Sequence, residues 1–356
     1  MTGRLLHPFA WWAWAGALGY AALRTTNILL LGLIIAVSWV VVAARRPDTP
    51  WASGYSTFLR LGAFVVILRV LLEIAFGQRL PGTVLFVTPQ VTLPTWVAGT
   101  SIGGPVTIAA LVGAVAAGLQ LAALLACVGA ANSLTSPARV LRALPTPFYE
   151  VGLVVTVGLS FAPLATVGAR RIREARRLRG RPDRGLASVR GVAVPVLEGA
   201  LDQALALAAS MDSRGYGRRG SLGVGRRRSA AAATVTAVVL TGAGAYALFG
   251  GSAALAPIAL LLAALAFGIS VVIVRTGAPR TRYRPDPWLA AEWITAIIAA
   301  VAAAAFTVAA RLDPFGLNPP LVPARIPPLP ALATGAVLLS VLPAVLTPAP
   351  PPEDSA

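Results

Sequence analysis

Membrane-length apolar runs on both sides of one strongly basic stretch leave this chain few folds to choose from. Residues 170–228 begin RRIREARRLRG and end SMDSRGYGRRGSLGVGRRR, and apolar blocks flank them on both sides. About 20 consecutive apolar residues let an α-helix cross a bilayer. Lipid offers no partner for an unpaired backbone N–H or C=O, so such segments are helical. Several of them in one chain predict an all-α, polytopic helical membrane protein. Composition agrees, with 57% hydrophobic and 12% charged residues, where soluble domains carry about a quarter charged.

The net charge of +17 would point to nucleic acid in a soluble protein. Here it fits the enrichment of basic residues in the cytoplasmic loops of membrane proteins, and no nucleic-acid partner is expected. Lysine is absent, so every basic side chain except His7 is Arg, which we read as GC-rich coding. A lone cysteine, Cys127, builds neither a disulfide framework nor a cysteine metal site. A lone histidine, His7, makes no metal site and suits the membrane interface. No cofactor and no metal are expected. The N-terminus does not read as a plain signal peptide, because a second apolar run follows the first without a convincing cleavage site.

Apolar runs at 8–23, 27–44, 58–76 and 105–131 give four expected crossings, with Trp11, Trp12 and Trp14 suited to an interface. The third run holds Arg60, Arg69 and Glu73; Arg69 and Glu73, four apart, read as an internal pair. A Pro- and Gly-rich loop with a β-leaning piece, TVLFVTPQVTL, follows it. Arg4, Arg45-Arg46, and Arg139 with Arg142 place the N-terminus, the 45–57 loop and the chain after 131 on the cytoplasmic side. Arg24 dissents. The run at 148–168 has basic residues on both flanks, which a single crossing cannot satisfy. It is therefore expected to lie against the inner face of the membrane domain or re-enter, continuing into the basic segment. Runs at 230–249, 253–274, 288–310 and 329–346 bring the total to about eight spans. The organisation expected is a membrane domain at 1–131, a cytoplasmic or interfacial module at 132–228, C-terminal spans at 229–348 and a disordered tail at 349–356.

In the module, Ser136-Pro137 is a helix start, with Ser as N-cap and Pro at the first position. A second helix runs into REARRLR and stops at Gly180; a third runs from after Gly185 to Gly215, with Pro195 able to kink or split it. Val189, Val192, Val196, Ala200, Leu207 and Met211 recur at helical spacing and predict one buried face. Leu197, Leu201, Leu205 and Ala208 are expected to widen it, with Glu198 and Asp202 on a polar side. Leu178-Arg179-Gly180 and Ser213-Arg214-Gly215 close these two helices. Gly accepts the left-handed conformation that ends a helix, and Arg in the last turn complements the negative end of the dipole. The guanidinium then projects where a carboxylate can take two parallel hydrogen bonds. An Arg-Gly C-cap is common by itself; two in one amphipathic module favour a docking role.

Here the chain resembles the transmembrane T component of energy-coupling factor (ECF) transporters, the CbiQ-type subunit also found in cobalt and nickel uptake systems. The residues that carry the resemblance are Leu6-His7-Pro8, SPARVLRALPTPFYEVGLVV from Ser136, SFAP from Ser160 to Pro163, RIREARRLRG ending at Gly180 and LALAASMDSRGYG ending at Gly217. It covers about residues 1–230. The family's marker, a pair of X-Arg-X triplets at the ends of two coupling helices, matches Leu178-Arg179-Gly180 and Ser213-Arg214-Gly215. The chain departs in having Ser160 where members often have Arg, Glu174-Ala175-Arg176 where Ala-Gln is usual, and several spans beyond the second triplet. The resemblance implies a non-catalytic coupling subunit in the bacterial plasma membrane, with two cytoplasmic ABC ATPase subunits gripping Arg179 and Arg214. A small membrane S component would carry the vitamin or transition metal, and the coupling module would transmit ATP-driven motion to it. Asp212, Glu174 and Pro163 are supporting candidates; Asp212 either holds Arg214 or ends its helix in solvent. Arg69 and Glu73 have a second reading, as part of the surface where the S component slides. Arg226-Arg227-Arg228 is expected to meet anionic lipid headgroups. The alternatives are a self-contained secondary carrier, disfavoured by the lack of an internal repeat, and a membrane-embedded transferase, disfavoured by the scatter of Asp48, Asp183, Asp202, Asp212, Asp286, Asp313 and Asp354.

Overall fold

The computed structural model describes residues 4–47, 53–76, 81–89, 91–92, 101–143, 149–180, 186–215, 223–249, 255–277, 286–322 and 327–350. The chain is the all-α multi-pass membrane protein that its apolar runs predict. Among the described residues, six helices are long and apolar enough to cross a membrane: Ile28–Arg45, Ile108–Leu134, Gly152–Leu178, Val189–Ser213, Val224–Ala247 and Ala290–Leu312. By contact the chain divides into two compact units, Met1–Val140 with Asp286–Ala356, and Leu141–Pro285.

In the first unit, α1 (Pro8–Leu23) starts with Pro8 at the first helical position and His7 as cap, its Nδ1 accepting from the Phe9 N–H at 3.3 Å. The chain then reverses into α2 (Ile28–Arg45). Asn27 fixes the turn with its whole amide: Oδ1 accepts from the N–H groups of Leu29 and Leu30, and Nδ2 donates to the carbonyls of Gly316 at 2.9 Å and Pro328 at 2.8 Å. α3 (Gly54–Phe76) and α4 (Ile108–Leu134) cross closely at small residues; a Cβ on Gly118 would sit 2.9 Å from Val66 Cα. Between them the β-leaning piece supplies β1 (Val84–Val87) and β2 (Val91–Thr92), which pair antiparallel with β4 (Pro105–Thr107) and β3 (Ser101–Ile102) further along the chain.

α10 (Ala290–Leu312), α11 (Pro314–Leu317), α12 (Ala331–Leu339) and α13 (Pro343–Leu346) complete this unit. α10 packs on α1 and α12, and α12 and α13 pack on α2. Trp14, Leu18, Leu30, Ile34, Phe306, Leu317 and Val337 are buried together, and the Trp14 indole N–H donates to the Ser340 carbonyl at 2.9 Å. Between helices in lipid the attraction is packing and hydrogen bonding more than expulsion of water, so these polar links matter as much as the apolar ones. One end of the unit holds Arg4, His7, Arg45, Arg139, Asp286 and Glu292; the other holds the 24–27 turn against Leu317 and Asn318. The chain leaves after Val140 and returns at Asp286, both at the first end.

The second unit contains α6 (Tyr149–Leu178), α7 (Leu186–Ser213), α8 (Val224–Phe249) and α9 (Leu255–Gly277), after α5 (Pro137–Ala143), which joins the two units. α6 packs on α7, and α8 on α9. Thr234 and Ser270 hydroxyls meet at 2.6 Å between α8 and α9. Pro163 and Pro195 lie inside continuous helices; Pro195 does not split α7. From Tyr149 the apolar run continues into the basic segment as one helix, as the sequence predicts; from Gly152 that helix is long and apolar enough to cross a membrane and is mostly exposed within the chain. The expectations about Asp48, Asp183, Tyr216-Gly217, Asp354 and the tail after residue 350 lie outside the described residues.

Candidate coupling site: two arginine–glycine helix ends

α6 and α7 meet along one stripe each. On α7 the stripe is Val192, Val196, Ala200, Leu207 and Met211, buried or half-buried as their spacing predicts; Val189, expected in it, is 65% exposed. Leu197, Leu201, Leu205 and Ala208 do not widen this stripe. At 100° per residue they fall on the far side of the helix, and all four are exposed. α7 thus carries a packed apolar face, a second apolar face that the described residues leave open, and an acidic edge with Glu198 and Asp202 exposed.

The guanidinium of Arg176 on α6 lies against Gly191 on α7, where a Cβ would collide with it. This contact places the C-terminal end of α6 beside the start of α7. Arg179 and Gly180 then end α6. The Arg179 N–H donates to the Arg176 carbonyl at 3.1 Å and the Gly180 N–H to the Arg177 carbonyl at 3.0 Å, with Gly180 at φ 68°. α7 ends in the same way: Arg214 N–H to the Met211 carbonyl at 3.2 Å, Gly215 N–H to the Asp212 carbonyl at 2.9 Å, and Gly215 at φ 76°. At such φ a side chain costs about 1–2 kcal/mol, so glycine is required to close both helices. The sequence expectation of two Arg-Gly C-caps is met in geometry.

Arg179 and Arg214 are both exposed, and neither forms an ion pair among the described residues. Leu178 is 90% exposed, whereas the Ser213 hydroxyl donates back to the Ser210 carbonyl at 2.8 Å. Asp212 is exposed and forms no ion pair with Arg214, which favours its reading as a solvated helix end. Glu174 and Pro163 are exposed on α6. α7 rises about 42 Å along its length at 1.5 Å per residue. Since α6 ends beside its start, the two arginines stand on the order of 40 Å apart. The last turns of α6 also carry Arg170, Arg171, Arg173, Arg176 and Arg177, cations at the end where the helix dipole favours them. Arg226, Arg227 and Arg228 lie in the first turns of α8, where the dipole disfavours them. Among the described residues, no group of three or more His, Cys, Asp or Glu is placed to hold a metal ion.

Sequence reasoning missed three features. One is the open second face of α7, legible in the helical angles of Leu197, Leu201 and Leu205. The second is the Arg176–Gly191 contact. The third is the pairing of Arg4 with Glu292 and of Arg139 with Asp286, for which no local signal exists because the partners are far apart in sequence.

A multi-pass helical membrane protein with two protruding cationic helix ends in a separate helical unit is the class that the fold and the site define. The family model described as "Cobalt transport protein" (CbiQ) matches residues 6–222, more than half of the chain, and the chain belongs to that family of transport permeases. The match runs from Leu6 through α1–α7 and includes both arginine–glycine ends; α8 to α13 lie beyond it. No curated protein and no solved structure matches the chain significantly.

Proposed function

We propose that this chain is the transmembrane coupling subunit, the T component, of an ECF-type ABC importer, non-catalytic itself and working with two cytoplasmic ATPase subunits and a membrane S component. One observation carries this reading: two exposed arginines each stand at the end of a different helix, closed by a positive-φ glycine. Two such ends on two helices suit two partner subunits, one for each arginine. The fork of each guanidinium suits an acidic groove on an ATPase. ATP-driven movement of the ATPases would shift the ends of α6 and α7. The open face of α7, with Val194, Leu197, Leu201 and Leu205 exposed, is where the S component would rest. The cargo is a vitamin or a transition-metal ion such as cobalt or nickel, held by the S component.

The basic end of the first unit supports an orientation with the N-terminus and the coupling module in the cytoplasm of a bacterium, in its plasma membrane. The arginines at the start of α8 would then meet anionic lipid headgroups, which offset the unfavourable dipole. The test is affinity purification of the tagged chain, in mild detergent, from cells that also make its ATPases. ATPase subunits are expected with the wild-type chain and at most a tenth as much with Arg179→Glu plus Arg214→Glu, since losing a charge-assisted contact costs about 1.5–3 kcal/mol. Full retention by the double variant would sink the role of the two arginines. Absence of ATPases from the wild-type preparation would sink the coupling reading as a whole.

A further inference from the structure

Residues 286–350 lie beyond the family match and yet are built into the first unit. Several polar groups of the matched segment find their partners there. Trp14 donates to Ser340, Thr25 to Leu317, and Asn27 to Gly316 and Pro328. At the basic end the links are ionic. Glu292 is fully buried; its carboxylate pairs with Arg4 and accepts from the backbone N–H groups of His7 at 3.2 Å and Leu289 at 3.0 Å. The His7 ring packs against Trp288 with centroids 5.2 Å apart. Beside this cluster Arg139 donates to Asp286 through Nη2 at 2.9 Å and Nε at 3.3 Å, and Nη2 also reaches the Leu5 carbonyl at 3.3 Å.

The place of the Arg139–Asp286 bridge in the chain is what gives it meaning. Arg139 lies one residue before the point where the chain leaves the first unit, and Asp286 is the residue where it returns. Everything between them is the second unit, which holds both arginine–glycine ends. Two Arg139 nitrogens on one Asp286 oxygen, Oδ2, with a third bond to Leu5, fix both exits to one spot and tie that spot to the start of α1. The Arg139 side chain is largely buried and that of Asp286 about half-exposed. Such a pair is stronger than a free surface bridge but reversible.

We infer that residues 286–350 act as a built-in clamp, and that Arg139 and Asp286 form the positioning joint through which motion of the coupling module reaches the membrane unit. This rests on the T-component reading above. The joint is expected to leave the docking of partners untouched, since neither residue belongs to α6 or α7 or to the residues that close them. It holds both exits together while the module between them is pulled, so that displacement goes into the first unit instead of into a loosened connection.

The test is backbone hydrogen exchange on the purified complex with its ATPases, with and without ATP. In the wild type, residues 137–143 and 286–292 are expected to stay protected in both conditions. In Arg139→Ala and Asp286→Ala, ATPase retention is expected to be unchanged, while ATP speeds exchange in both segments by about tenfold, as loss of a charge-assisted bond implies. The reversed pair, Arg139→Asp with Asp286→Arg, is expected to remove most of that increase, which a role in mere local packing would not explain. Arg139→Gln, which keeps a hydrogen-bond donor and lacks the charge, provides a second variant should an alanine variant fail to assemble, and the same increase is expected of it. Unchanged exchange in the single variants, or no recovery in the reversed pair, would overturn the joint. Loss of ATPases from the single variants would overturn it as well, by showing that the pair acts on docking. Absence of ATPases from the wild type would instead defeat the coupling reading on which the joint rests.

Discussion

The two units of the chain treat their apolar helices in opposite ways. In the first, α1 and α2 bury tryptophan, leucine and isoleucine side chains against α4, α10 and α12, and their polar groups are paired across the bundle. In the second, α6 and α7 touch along one stripe each, and most of their remaining apolar residues are exposed. A helix that is apolar on a face it does not bury in its own chain is prepared for lipid or for another chain. The first unit reads as finished and the second as half of an assembly. The family match spans both, but the residues that finish the first unit, 286–350, lie outside it.

This contrast is open to direct attack, and the strongest blow falls on the finished unit. Glu292→Ala removes a fully buried carboxylate and strands the groups that it pairs. It is expected to lower stability by about 3–5 kcal/mol, read as the midpoint of thermal unfolding in detergent. Asn27→Ala deletes the amide that serves two carbonyls and caps α2, and is expected to cost about 2–3 kcal/mol in the same assay. A small effect from either would show that the first unit is less closed than its hydrogen bonds imply.

Smaller effects are expected in the second unit, and they should register in binding before stability. Gly180→Val and Gly215→Val each force a β-branched side chain into a left-handed conformation. Each is expected to weaken ATPase retention by about tenfold, because the last turn frays to relieve a strain of about 1–2 kcal/mol that docking must then restore; fraying confined to one turn leaves the unfolding midpoint little changed. Least of all, Leu201→Ala with Leu205→Ala on the open face of α7 is expected to leave stability within about 0.5 kcal/mol, while recovery of the S component falls. Marked destabilisation by this pair would mean that the face is buried by the chain itself, and the contrast between the units would collapse.

How far the sequence could be read depended on the range of the interactions. Local features were legible. Ser136-Pro137 starts α5, the β-leaning piece after α3 forms strands, and both Arg-Gly units become left-handed caps, because each is decided within a few residues. The packed stripe of α7 was legible from spacing at all but Val189. Its far-side leucines also recur in steps of four, and only their angle around the helix separates them from the packed stripe. Nothing nearby in sequence couples Glu292 to Arg4 or Asp286 to Arg139, since 147 or more positions separate the partners. That range is also why the C-terminal helices looked like an unexplained addition in the sequence and prove to be part of the first unit's core.

The central claim is that the two helix ends are where the ATPases grip. Hydrogen exchange on the wild-type chain, alone and with purified ATPase subunits, measures this directly. The expected result is protection gained at residues 175–180 and 211–215, at both ends together, with the α1, α2 and α10 amides unchanged. Protection confined to the first unit, with neither helix end affected, would contradict the account.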